Sequence, residues 1–283
     1  MKKILALALC AMMVLSLAAC GSSTTSTSTA TESAAADTES ASTEETAGGK
    51  LLMGTSADYP PFEFIYLDDN GDQQYAGYDV GMSKIVAEDM GLELEVVNMG
   101  FDNLMASLQK GEVDMVVAAI EETEERAQVA DFSDPYYTDL PAMILVKKEN
   151  ADKYSSLADF DGKTVGAQSG TTKADIVTND MAGATPMLLQ TVTDLVNNLV
   201  YDKCDAIVLD GAVATEYAET NEDLVILESV PLGEALPFRV CVAKGDPKGL
   251  LPSINATIAK ILDDGTMDTV ISEADALVDK AIG

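Results

Sequence analysis

The stretch Asp114 to Tyr137, D-M-V-V-A-A-I-E-E-T-E-E-R-A-Q-V-A-D-F-S-D-P-Y-Y, decides how the rest of the chain is read. Asp114 to Ala119 is a short apolar run rich in Val, the pattern of a strand buried on both faces in a parallel sheet. Past the strand's end Thr123 is placed to cap a short helix, and Arg126 follows three residues later. A guanidinium is thereby set at the carboxyl end of a strand, where open α/β sheets bind their ligands.

Toward the amino terminus, Lys50 to Thr55 reads as a strand, followed by Ser56-Ala57-Asp58-Tyr59-Pro60-Pro61-Phe62-Glu63-Phe64, where two prolines forbid helix and hold an extended loop. Asp68 to Asp72 reads as a hairpin turn. Met82, Ile85, Val86 and Met90 recur at helical spacing with Gly91 as the stop, Leu92 to Asn98 is a strand, and Phe101 to Lys110 is a helix with Leu104, Met105 and Leu108 inward. Strands alternating with helices predict a parallel sheet.

Toward the carboxyl terminus, the strand Ala142 to Lys147 carries the chain into a second lobe. A helix starting at Ser156 and a strand from Lys163 to Ala167 lead to the polar turn Gln168-Ser169-Gly170-Thr171-Thr172, which opens a helix through Val177. Backbone N–H groups at such a start attract anions. A helix with Leu195, Val196, Leu199 and Val200 on one face precedes the strand from Cys204, which delivers Asp210 at its end. Taken alone, Asp210 reads as the N-cap of the helix Gly211 to Glu219. Leu224 to Leu227 is a strand, Phe238 to Lys244 another that returns to the first lobe, and helix 248–263 carries Leu250, Leu251, Ile254, Ile258, Ile261 and Leu262 on one face.

G-T-S-A-D-Y-P-P-F-E-F from Gly54, the Arg126 segment and V-G-A-Q-S-G-T-T from Val165 together resemble the motifs of extracellular solute-binding proteins of family 3, the polar amino-acid-binding proteins of ABC importers with the type II periplasmic-binding-protein fold. The resemblance runs from Leu51 to the C-terminus. It implies an α/β fold of two lobes, each a mixed, mostly parallel sheet flanked by helices, joined by a two-strand hinge; 50–141 and 238–283 form lobe 1 and 142–237 form lobe 2. It also implies closure around a free amino acid, with no catalytic residue, no cofactor and no metal.

A zwitterion enclosed between lobes needs a partner for each charge, at a cost of several kcal/mol otherwise. The resemblance assigns the α-carboxylate to Arg126, helped by Thr171 and Thr172, and the α-ammonium to Asp210, with Ser56, Tyr59, Phe101, Ala118, Ala119, Glu121 and Gln168 lining the pocket. Arg126 and Asp210 would then be bridged only by ligand, and neither is assigned to the core. Relatives often carry Ser or Thr at the place of Glu121 and Ser or Gly at that of Ala119. Glu121 either decorates the first turn of a helix and faces solvent, or faces the cleft as an unmatched charge that calls for a cationic ligand side chain, arginine or lysine, flanked by Tyr59 and Phe101. A neutral polar amino acid is the alternative ligand.

Ahead of this lies a basic start at Lys2 and Lys3, an apolar run from Ile4 to Leu17 and Leu17-Ala18-Ala19-Cys20. This ending resembles a bacterial lipobox, which implies cleavage before Cys20 and diacylglycerol on its sulfur, ordinary cleavage after Ala19 being the alternative. Residues 21–49 hold only Ser, Thr, Ala, Glu, Gly and one Asp, too little apolar matter to fold, and read as a tether. The expected place is the outer face of the cytoplasmic membrane (periplasmic where an outer membrane exists), held by lipid alone, as a monomer partnered by permease subunits. Without Lys2 and Lys3 the chain has 15 basic and 48 acidic residues, a net charge of −33 that argues against nucleic acid as a partner. There is no His, which removes His-based triads, and Cys204 and Cys241 are expected to be free buried thiols in different lobes. A dehydratase on the same fold, acting on an aromatic-acid precursor with Glu121 as general acid, is the enzymatic alternative; the lack of His and the lipobox weigh against it. A receptor ectodomain would need a membrane helix, and no stretch after the leader approaches ~18 apolar residues.

Overall fold

The computed structural model describes residues 49–230 and 232–282; the leader, Cys20 and the tether up to residue 48 lie outside them. The chain begins with β1 (Lys50–Thr55), β2 (Asp58–Tyr59), β3 (Glu63–Leu67), β4 (Gln73–Ala76), α1 (Tyr78–Asp89), β5 (Glu93–Asn98), α2 (Phe101–Lys110), β6 (Met115–Val116) and β7 (Ala130–Thr138). Then follow β8 (Met143–Lys147), β9 (Thr164–Gln168), α3 (Thr172–Asp175), β10 (Thr185–Leu189), α4 (Val192–Val200), β11 (Ala206–Leu209), α5 (Gly211–Thr220) and β12 (Leu224–Ile226). The last elements are β13 (Pro237–Ala243), α6 (Leu251–Asp263), α7 (Thr266–Val278) and β14 (Ala281–Ile282).

Two five-stranded sheets form the two lobes, ordered β5-β1-β6-β13-β7 and β10-β9-β11-β8-β12. In each, the first three strands pair in parallel and the last two join antiparallel. The chain passes between the sheets twice, from β7 to β8 and from β12 to β13, so the first sheet draws on both ends of the fold. A third sheet, β14-β3-β2 with β4 on β3, folds over the first lobe, and Asp68 to Asp72 closes its hairpin. Gly77, at φ 120°, links that sheet to α1, where a Cβ would run into the Phe62 carbonyl; only glycine fits.

The apolar periodicity does what it predicts in most elements. α2 spans Phe101–Lys110 and buries Phe101, Leu104 and Leu108, each contributing about 1.5–3 kcal/mol, and ends on Gly111 in the left-handed region. Three expectations need correction. Leu262 is 50% exposed, because Ile254, Ile258 and Ile261 already fill the inner face of α6. The strand predicted over Asp114 to Ala119 pairs only at Met115–Val116, since the chain turns beyond it to build the cleft. Ser156 caps a short 3-10 turn over Leu157–Phe160. β7, β10, α7 and β14 went unread, and β2 lies in what was read as loop. β7 and β10 carry Pro135 and Pro186, which an edge strand tolerates because its outer N–H groups have no ladder partner, and both lie at sheet edges. Cys204 and Cys241 are free and buried.

Candidate functional site

The cleft is built where parallel strands end. After β6 the chain reaches Ala119, held at φ 44° with its N–H donated to the buried Asp79 Oδ2 at 2.7 Å, which fixes a left-handed conformation that a residue with a Cβ adopts at a cost. The chain then lays Glu121 against Phe238 of β13 and turns at Thr123, whose Oγ1 accepts from the Arg126 N–H at 3.2 Å. Arg126, buried despite its charge, donates through Nη1 to the Glu121 carbonyl at 2.8 Å and to its Oε2 at 3.1 Å. Nη2 donates to the Gly170 carbonyl of the other lobe at 3.0 Å, and Cζ stands 5.4 Å from the centre of the Phe101 ring.

From the second lobe, Thr171 caps α3 by accepting from the Ala174 N–H, and Thr172 Oγ1 donates to Glu121 Oε1 at 2.9 Å. Asp210 stands at the N-cap of α5, yet its carboxylate does not cap; Asp139 takes the Ala212 N–H instead. The N-cap reading of Asp210 therefore fails, and its side chain is free to face the cleft. Its Oδ2 accepts from the Tyr59 hydroxyl at 2.7 Å across the lobes. Gln168 donates to Gln190 O at 3.0 Å and reaches Ser56 Oγ at 3.4 Å. Tyr59, Phe101, Ala118, Ala119, Gln168, Thr171 and Asp210 surround one small cavity of about 10 Å³.

One residue the sequence reading missed joins the two halves. Lys173 Nζ lies 2.6 Å from Asp210 Oδ2 and 2.7 Å from Glu121 Oε1, with only 4% of the residue exposed. Two expectations fall with it. Arg126 and Asp210 are bridged within the chain, through Glu121 and Lys173, and are buried at 8% and 6% exposure. Nor is Glu121 solvent-facing or unmatched: burial would raise its carboxyl, but Lys173 and Arg126 outweigh that and hold it down to about 2. Burial raises Asp210 above the ordinary range, against the pull of Lys173. A signal for Lys173 was available, because a cation in the first turn of a helix opposes the dipole and asks for another reason to be there.

Glu63 was also missed. It lines the same small cavity fully buried, and its Oε2 has no hydrogen-bond partner. Burial, with the Asp79 charge beside it, pushes its carboxyl well above the usual range. Glu63 shares the cavity lining with Tyr59, Phe101 and Gln168, a buried carboxyl group with one oxygen still without a partner.

Residues 51–273 match the profile of bacterial extracellular solute-binding proteins, family 3. The chain belongs to that family. It is 33% identical over 275 residues to the arginine-binding extracellular protein ArtP of Bacillus subtilis (strain 168), covering 95% of this chain and 96% of that protein. It is 31% identical over 277 residues to a probable histidine-binding protein of Campylobacter jejuni, covering 96% and 98%. Among solved structures, the amino acid ABC transporter substrate-binding protein AbpA of Streptococcus pneumoniae bound to L-arginine superposes with a TM-score of 0.77 at 32% identity, over 81% of this chain and 96% of that one. In this family-3 solute-binding protein Asp139 and Leu140 from one crossing of the chain and Leu236 from the other line a second cavity of about 330 Å³, which Lys173 also lines.

Proposed function

We propose that the protein is the solute-binding component of an ABC importer and that it captures a free cationic amino acid, arginine or lysine, between its two lobes, with Arg126, Thr171 and Thr172 holding the α-carboxylate and Asp210 the α-ammonium. The observation that carries the cationic reading is Glu63 rather than Glu121. The Glu63 Oε2 is unpartnered in the same small cavity that Asp210 and Lys173 line, whereas Glu121 and Asp210 are already matched by Arg126 and Lys173. A zwitterion leaves that matching unchanged, and the side-chain N–H groups of a cationic ligand supply the donor that the orphaned Glu63 oxygen lacks. The arginine-binding descriptions of relatives point the same way. The relatives named above are binding proteins, which favours capture over dehydratase chemistry.

A thermal-shift panel of the twenty amino acids tests this, with citrulline as the uncharged counterpart of arginine. Ligand at a hundred times Kd adds about 2.7 kcal/mol to stability, so a binder is easily seen. Arginine, lysine or ornithine should stabilise and citrulline should do so less; stabilisation by glutamate or a branched aliphatic, with none from the cations, overturns the reading. The reading extends to the envelope: a monomer tethered through lipid on Cys20 and docking on permease subunits. Cys20→Ser should move the protein from the membrane to the soluble fraction, and detergent-sensitive membrane retention of that variant would refute the anchor.

A further inference from the structure

Lys173 holds the position that the reading above gives to the ligand. Its ammonium lies on Asp210 Oδ2, the same oxygen that takes the Tyr59 hydroxyl, and it reaches Glu121 across the cleft. The side chain is an unbranched chain ending in a compact charge, free to swing where a guanidinium fork would be held by its several donors. It also has somewhere to go. Lys173 lines both the small cavity of about 10 Å³ and the chamber of about 330 Å³ behind it. That chamber presents the carboxylates of Asp139, Asp180 and Glu234, and Asp139 already feels the Lys173 charge.

We propose that Lys173 is a built-in surrogate for the ligand's α-ammonium: an arriving amino acid binds by exchanging its own ammonium for the lysine's on Asp210, and the displaced lysine moves into the adjoining chamber toward Asp139. The exchange never leaves the buried Asp210 carboxylate unpaired, which is the costly state for such a group. It also makes Lys173 a determinant of selectivity, because the lysine competes with every ligand that carries an α-ammonium and assists every ligand that lacks one. The proposal rests on the assignment of Asp210 to the ammonium.

Calorimetric titration of the full chain with arginine and with 5-guanidinopentanoate, which is arginine without the α-ammonium, tests it in the wild type, K173M and D139N. In the wild type the two ligands should differ by no more than about tenfold, since the lysine fills the missing place. K173M should bind arginine about tenfold more tightly and 5-guanidinopentanoate more weakly, and D139N should weaken arginine alone by several-fold. K173Q, which keeps a polar group, should follow K173M and guards against a folding defect. A lysine that merely neutralises its neighbours predicts that K173M and K173Q weaken both ligands alike; that result, or an unchanged ratio between the ligands, overturns the proposal while leaving the site assignment intact. Arginine binding to neither wild type nor K173M overturns the site assignment and this inference together.

Discussion

Lobe 1 brings the pair Arg126 and Glu121 to the cleft together with the buried Glu63, and lobe 2 brings the pair Lys173 and Asp210. The pairs are built differently. Arg126 is pinned by the Glu121 carbonyl and carboxylate, backed by the Phe101 ring and reached by Gly170 O, so its fork points one way. Lys173 is held only by what its ammonium touches. The sheets behind them share one pairing pattern, which means the difference arises in the loops at the strand ends and not in the frame. Lobe 1 also buries Glu63 and Asp79 with no cation of its own beyond Arg126, while the acids of lobe 2 have Lys173. The fixed cation thus belongs to the lobe that is short of positive charge, and the movable one to the lobe that is balanced.

The largest test of this asymmetry removes the fixed cation. Arg126→Ala should leave a buried ligand carboxylate unpaired at about 2–5 kcal/mol, a loss of roughly thirty-fold to several thousand-fold in arginine affinity by calorimetry. Affinity within threefold of wild type would show that Arg126 does not hold the ligand carboxylate.

The frame of this molecule was legible because long amphipathic helices and apolar strands announce themselves: α2 and α6 were read with their inward residues. The edge strands β7 and β10 were not, since a proline that an edge accepts looks like a break in the pattern. At the site, Arg126, Thr172 and Asp210 could be placed from their motifs, and all three meet across the cleft through Glu121 and Lys173. Glu63 could not, because nothing local marks the burial of a glutamate after Phe62, and Lys173 offered only the weak signal of a cation in the first turn of a helix.

A smaller effect separates the lobes by pH. Burial lifts Asp79 from its ordinary 3.8 to about 6, against the Ala119 N–H and Tyr136 hydroxyl that favour the ionised form. Between these two pH values the folded chain binds more protons than the unfolded one, so stability is full below the lower value and falls as pH rises through the window, by up to about 3 kcal/mol from this group. Asp79→Asn has no proton to lose and should flatten that fall in denaturant titrations between pH 4 and 7. An unchanged slope would mean that Asp79 carries no such cost.

The smallest test compares two tyrosines with the same bond and different addresses. Tyr59 donates to Asp210 at 2.7 Å across the cleft, and Tyr136 donates to Asp79 at 2.7 Å inside lobe 1. Each hydroxyl is buried, and each bond to a charged acceptor is worth on the order of 1–3 kcal/mol. Only the first depends on the lobes meeting. Tyr59→Phe should therefore weaken arginine binding by about five-fold or more while leaving the unfolding midpoint of the free protein close to wild type. Tyr136→Phe should do the reverse, lowering the midpoint with little change in affinity, because its bond is made whether or not the cleft closes. Should Tyr59→Phe instead destabilise the free protein as much as Tyr136→Phe does, the contact between the lobes would be part of the resting fold, and closure could not draw its energy from the ligand.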